Sequence, residues 1–199
     1  MTSTFLLLEI VDPEVNAFLW RMRSIIAGRR AQGFIHVTLR GPYEHDVPID
    51  SIDEWRRALV HDVLKIGGGV GRFSNRTEEV VFLKVDSPNL RSVWWKPSYP
   101  IERFGFEPHI SLYRGGEREY ADFIARFLRR RRVELLCAEH RLVWHRPGQA
   151  DLFRAPSPSV AAMEQLLEST RMDTSILDRL EIAVGRYRRA MAEKNRMAL

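Results

Sequence analysis

Pro108-His109-Ile110-Ser111-Leu112-Tyr113-Arg114 is the stretch on which the reading of this 199-residue chain turns. Side chains alternate between faces in a β-strand. His109, Ser111 and Tyr113 therefore share one face, and Ile110 and Leu112 the other. Earlier in the chain, Ile35-His36-Val37-Thr38-Leu39-Arg40 repeats the design, with His36, Thr38 and Arg40 on one face and Ile35, Val37 and Leu39 on the other. A strand with one apolar face and one imidazole-plus-hydroxyl face suits the lining of a cleft. Two such strands can bring two imidazoles to one phosphate from opposite sides.

The paired, strand-framed H-x-T/S strings resemble the two motifs of the two-histidine (2H) phosphoesterase superfamily, the group of LigT-like 2′-5′ RNA ligases and cyclic phosphodiesterases. The context agrees. A strand and helix precede the first string, a Val80-Val81-Phe82-Leu83-Lys84-Val85 strand and a short helix precede the second, and the likeness spans roughly residues 3–145. It implies an α+β, bilobal fold: two antiparallel sheets facing across a central cleft, with helices outside. It also implies that His36, Thr38, His109 and Ser111 are the four catalytic positions, and Arg114 matches the Arg that often ends the second motif.

The residues themselves suggest the chemistry. Opening a 2′,3′-cyclic phosphate or cleaving a 2′-linked diester needs a base for the attacking oxygen, an acid for the leaving oxygen and donors for the phosphoryl oxygens. Imidazole serves the first two near neutral pH because its ordinary pKa is about 6.5. Thr38 and Ser111 place hydroxyl donors two residues along on the same faces. Such a reaction needs no cofactor and no metal. Arg40 is a candidate phosphate fork, Tyr113 a candidate for base stacking or phosphate contact, and Lys84 a candidate cation at the cleft. The sequence leaves open which His is base, whether hydrolysis or ligation is favoured, and which nucleotide or RNA phosphodiester is bound. Substrate choice is expected in the loops 41–51 and 96–106. The alternative is a non-catalytic nucleotide- or RNA-binding module that uses the same cleft, and a third reading is a scaffold acting through its C-terminal helix.

Composition sets the frame. With 45% hydrophobic and 29% charged residues, the chain reads as a globular protein able to bury a core. No apolar run reaches the roughly 18 residues a membrane span needs. Met1-Thr2-Ser3-Thr4-Phe5 lacks a basic run ahead of its short apolar stretch, so no signal peptide is expected. The lone Cys137, in an apolar run, fits a buried thiol in a reducing cytoplasm. Net charge is +5, and of 31 basic residues the Lys are at 65, 84, 96 and 194 alone. An Arg-rich surface suits phosphorylated ligands, although charge by itself speaks first to solubility.

Along the chain, residues 5–11 read as a strand and Asp12-Pro13 opens a helix with an apolar stripe through Val15, Phe18, Leu19, Met22 and Ile26. The first motif strand should stop at Gly41-Pro42. Ser51 or Asp53 should cap a second helix through Trp55, Leu59, Val63 and Ile66, broken by Gly67-Gly68-Gly69. Residues 70–73 and 80–85 form an antiparallel pair, Ser87-Pro88-Asn89 opens a short helix, an Arg-rich helix covers about 118–131, and 133–144 is one or two strands. These make up a domain of residues 1–150. Residues 151–199 form a helical extension with a stripe of Ile176, Leu180, Ala183, Tyr187 and Ala190. Packing of this stripe onto the domain gives a monomer, and a homodimer contact is the alternative.

Several signals carry less. His45-Asp46 and His61-Asp62 read as surface pairs, and His140 with His145 lacks further ligands for a metal. Gly67 to Gly71 lacks the G-K-[ST] of a phosphate loop. Arg129 to Arg132 reads as a solvated helix end, and Trp94-Trp95 as core and rim.

Overall fold

The computed structural model describes residues 4–28, 33–43, 49–74, 77–94, 107–146 and 159–197. The chain is α+β, with two antiparallel sheets and six helices among the described residues. The first sheet has strand order β2-β1-β7, built from β1 (Thr4–Ile10), β2 (His36–Tyr43) and β7 (His140–His145). The second has order β5-β4-β3-β6, from β3 (Leu64–Ser74), β4 (Glu79–Asp86), β5 (His109–Gly115) and β6 (Leu135–Cys137). The two motif strands, β2 and β5, are thus edges of their sheets among the described residues, and they lie against each other.

Helix α1 (Pro13–Ala27) begins as its sequence directs. The Asp12 carboxylate accepts the Val15 amide at 3.1 Å, Pro13 occupies the first turn, and Gly28 ends the helix at φ 57°. Its apolar face joins Ile35, Val37 and Leu39 of the first motif and Ile110 and Leu112 of the second in one core. Helix α4 (Arg118–Arg131) covers the same core through Ile124, Ala125 and Leu128.

Helix α2 runs Ile49–Leu59, so Ser51 and Asp53 lie inside it rather than at its cap. The expected glycine break does not occur. Ile66 and Gly67-Gly68-Gly69 belong to β3, where the pairing slips between Ile66↔Val85 and Val70↔Leu83. Gly67 sits at φ 96°, and a Cβ there would lie 2.1 Å from the Val133 carbonyl oxygen. The glycines make a bulge and a close backbone approach, not a stop. Likewise β2 continues through Gly41-Pro42 to Tyr43.

Short helix α3 (Leu90–Trp94) is held by a residue expected at the surface. Asp62 is buried and accepts hydrogen bonds from the Ser87 hydroxyl (2.6 Å), the Asn89 amide (3.0 Å) and the Asn89 side chain (2.8 Å). Its own carbonyl meets His140 Nε2 at 2.9 Å.

The C-terminal helices α5 (Val160–Ser169) and α6 (Ser175–Met197) pack against α1. Ile176, Leu177, Leu180 and Val184 enter the main core. Arg188 donates to the carbonyls of Ile25 and Ile26 at 3.3 and 3.1 Å, where a cation complements the helix end. Tyr187 stacks on Phe123 at 4.7 Å. Of the expected stripe, Ala190 alone is exposed. No helix among the described residues is long and apolar enough to cross a membrane. His45, Asp46, Trp95 and the loop segments 44–48 and 95–106 lie outside the described residues.

Candidate active site

His36 and His109 are tethered in the same way. In each, ring Nδ1 lies against the carbonyl oxygen two residues back, Phe34 at 3.0 Å and Glu107 at 2.7 Å. A carbonyl only accepts, so Nδ1 carries the proton in both neutral rings. Each imidazole also packs on a phenylalanine: Phe34 on His36 at 4.6 Å between ring centres, Phe82 on His109 at 4.4 Å. A further ring meets each pair edge-on, His145 against Phe34 at 5.8 Å and Phe73 against His109 at 5.6 Å.

The strand alternation explains the side they share. Ile35, Val37, Leu39, Ile110 and Leu112 all join the one core. His36, Thr38, His109 and Ser111, each half-buried, therefore lie on the side of their strands turned away from it. The structure brings these four onto adjoining edge strands.

Both motif strands then depart from regular alternation at the same place. In β2, Thr38 pairs with Leu7 but Arg40 with Leu6, leaving Leu39 as an extra residue. In β5, Ser111 pairs with Phe82 but Tyr113 with Val81, leaving Leu112 extra. Each bulge follows the hydroxyl residue and turns the next position inward. Arg40 and Tyr113 are accordingly 5% and 1% exposed. Arg40 donates from Nε to the Val93 carbonyl at 2.7 Å and lies 4.0 Å over the Trp55 ring. Tyr113 joins the core and meets Tyr120 edge-on at 5.3 Å. The shared faces expected for Arg40 with His36 and for Tyr113 with His109 are thus corrected.

Lys84 pairs directly with His109 and lies on its face, with Nζ 2.5 Å from the Glu107 carboxylate. Arg114 is exposed and pairs with Glu78 at 3.3 Å. The His109 imidazole is pushed below its ordinary pKa, chiefly by burial; the hydrogen bond and charge of Glu107 oppose this, and the Arg114 charge adds to it.

Two charged residues escaped the sequence reading. Arg23, buried on α1, donates from Nε and Nη2 to the Ser111 carbonyl (3.2 and 2.9 Å) and from Nη1 to the Phe34 carbonyl (3.1 Å). Burial lowers its pKa to about 10. Its signal was present: 19, 22, 23 and 26 share one helix face, and Arg23 is the charged member of that apolar stripe. Glu9 pairs with His36 across β1–β2 and is buried, with its carboxylate 2.7 Å from Arg141 Nε. Its register against His36 puts Glu9 on the same sheet face, and nothing local in the sequence marks it as buried.

Among the described residues no group of three or more His, Cys, Asp or Glu stands where it could hold a metal ion. Comparison with protein-family models, with curated proteins and with solved structures finds no match to this chain.

Proposed function

We propose that the chain is a two-histidine phosphodiesterase acting on a cyclic or 2′-linked phosphodiester of a nucleotide or RNA, within a two-lobed 2H phosphoesterase-like domain carrying a helical C-terminal extension. The observation that carries this reading is the matched tethering of His36 and His109, each through Nδ1 to the carbonyl two residues back, on adjoining strands. A carbonyl tether alone does not mark function, since His140 Nε2 meets the Asp62 carbonyl in the same way; two matched tethers on adjoining strands favour a shared ligand.

In this mechanism His109 is the base for hydrolysis. Burial favours its neutral form, whose Nε2 lone pair takes a proton from water as the water oxygen attacks phosphorus. His36, protonated at Nε2, gives its proton to the departing ribose oxygen as the P–O bond breaks. The products are a phosphomonoester and a free hydroxyl, with the proton inventory exchanged between the two rings. Thr38 and Ser111 donate to the non-bridging oxygens as charge accumulates on them. Lys84 and Arg114 are the candidate phosphate contacts on the β4–β5 pair, each held in an ion pair, with Glu107 and with Glu78. Two imidazoles complete this proton bookkeeping, so the reaction calls for no metal.

The test is turnover, in EDTA, of 2′,3′-cyclic nucleotides, 2′-5′-linked dinucleotides and cyclic di- and trinucleotides by wild type, His36→Ala and His109→Ala. Cleavage of one class, reduced at least 10²-fold by either substitution, is expected. Binding without turnover across the panel would replace the enzyme with a nucleotide-binding module.

A further inference from the structure

We propose that Arg23 is the positioning residue of the histidine pair, holding the two motif strands at the spacing their imidazoles require. This rests on the reading that His36 and His109 act on one ligand. Three features of the guanidinium argue for it. It is nine-tenths buried, and its acceptors include two backbone carbonyls, one from each motif. The Phe34 oxygen it contacts at 3.1 Å is the same oxygen that orients His36 Nδ1 at 3.0 Å. Its other edge takes the Ser111 carbonyl through two nitrogens, at 3.2 and 2.9 Å, at the hydroxyl position of the second motif.

A continuous polar path therefore runs from His36 Nδ1 through the Phe34 carbonyl and the Arg23 fork to the Ser111 carbonyl. β2 and β5 belong to different sheets, so no ladder hydrogen bonds fix them to each other among the described residues. Apolar packing between them is non-directional. A planar guanidinium adds direction, because its donors diverge at fixed angles and reach both oxygens at once. Lysine presents a single ammonium centre, and no one placement of it reproduces contacts to both edges. Arg23 itself stays remote from the ligand side, since α1 packs on the core face of β5. It acts through the histidines.

The test uses the full-length chain with Arg23→Lys and Arg23→Gln, each checked for cooperative unfolding. In Arg23→Lys, kcat on the substrate found in the panel should fall about 10²-fold, as for an ångström-scale misplacement, with KM changed less than threefold. Adding Arg23→Lys to His109→Ala should lower the residual rate no further, because the pair it positions is already gone. A purely structural role would lower both backgrounds alike, and that result overturns the proposal. Imidazole ¹⁵N resonances give a reading that needs no substrate. Wild type should show Nδ1-protonated rings at 36 and 109, and the variants should show at least the His36 ring in tautomer exchange. Unchanged resonances in a folded variant refute the positioning role even if no substrate is turned over, while a panel without turnover refutes the phosphodiesterase reading alone. Failure of both variants to fold would make Arg23 a folding residue and overturn the proposal.

Discussion

Gly71 and Phe82 face each other across the β3–β4 pair, and the outer end of the phenyl ring lies over the glycine: a Cβ at 71 would come within 2.1 Å of the ring. The same ring packs 4.4 Å from His109. Gly71 thereby sets the height of the aromatic floor on which the imidazole rests. Gly71→Ala must push Phe82 toward His109, since the ring is the rigid end of a buried side chain. Overpacking of this kind costs about 1–3 kcal/mol. The expected outcome is a lower denaturant midpoint together with a displaced His109 imidazole resonance. A variant as stable as wild type with unmoved His109 signals would show that the floor can yield.

Asp62 reaches the site from the opposite side. It anchors the chain entering α3. That helix in turn presents the Val93 carbonyl to Arg40 and the Trp94 indole N–H to the Thr38 carbonyl at 3.2 Å. Asp62→Ala leaves a buried hydroxyl, an amide N–H and a side-chain amide without their acceptor. Unsatisfied buried groups cost about 1–3 kcal/mol each where water does not reach them. Chemical unfolding should register a loss of at least about 2 kcal/mol, and Asp62→Asn, which keeps one acceptor oxygen, a smaller loss. A change within 0.5 kcal/mol, the range of roughly neutral surface substitutions, would contradict the anchoring role.

What the sequence could reveal about this region, and what it could not, follows from the range of the forces involved. The His-x-Thr and His-x-Ser strands were legible because period-two alternation is a local property, and Val37 and Ile110 do face the core. The bulges at Leu39 and Leu112 were not, because a bulge is fixed by the register against β1 and β4, far away in sequence. That is why Arg40 and Tyr113 were placed on the wrong side. Gly67-Gly68-Gly69 looked like a breaker by composition, whereas the close approach to Val133 that requires Gly67 exists only in the folded chain. Asp62 looked like a surface acid because its partners, Ser87 and Asn89, lie a strand pair away. Within the chain, α6 packs on α1 and sends Ile176, Leu177, Leu180 and Val184 into the core, a placement its apolar stripe could announce but not locate.

The depressed pKa of His109 predicts a direction for stability against pH. The folded imidazole titrates below the unfolded value of about 6.5. Above that value both states are neutral and the group contributes no slope. As pH falls from about 6.5 toward the folded pKa, the unfolded chain takes up a proton that the folded chain resists, so stability declines. His109→Gln should remove this part of the decline. Unfolding midpoints of the two proteins at pH 7 and pH 5 should show the larger drop in wild type. Equal drops would place His109 in a more solvated setting than its burial beside Phe82 implies.

Cys137 should be silent in the folded state. It is fully buried in β6, its thiol donates to the Glu139 carbonyl at 3.3 Å, and burial pushes its pKa up to about 12. The thiolate is the reactive form, and little of it exists at neutral pH. An alkylating reagent at pH 8 should leave native protein unmodified over hours and label one thiol promptly in denaturant. Rapid labelling without denaturant would mean that β6, which pairs with β3 through three residues at the sheet edge, opens readily.

Removing the C-terminal helices should damage the domain itself, not only an appendage. Leu180 has no exposed surface, and with Ile176, Leu177 and Val184 it belongs to the core that also holds Ile35 and Ile110. Glu181 pairs with Arg21 at 2.8 Å, on the outer side of the helix that carries Arg23. Leu180→Ala leaves a cavity against α1 and should cost about 2–5 kcal/mol, whereas the exposed Glu181→Ala should cost no more than about 1 kcal/mol. A chain ending before residue 159 would expose the α1 face that α6 covers, and should unfold at lower denaturant than Leu180→Ala. If the shortened chain instead matched wild type in stability, α6 would be a separable segment resting on α1, and the core of the domain would close without it.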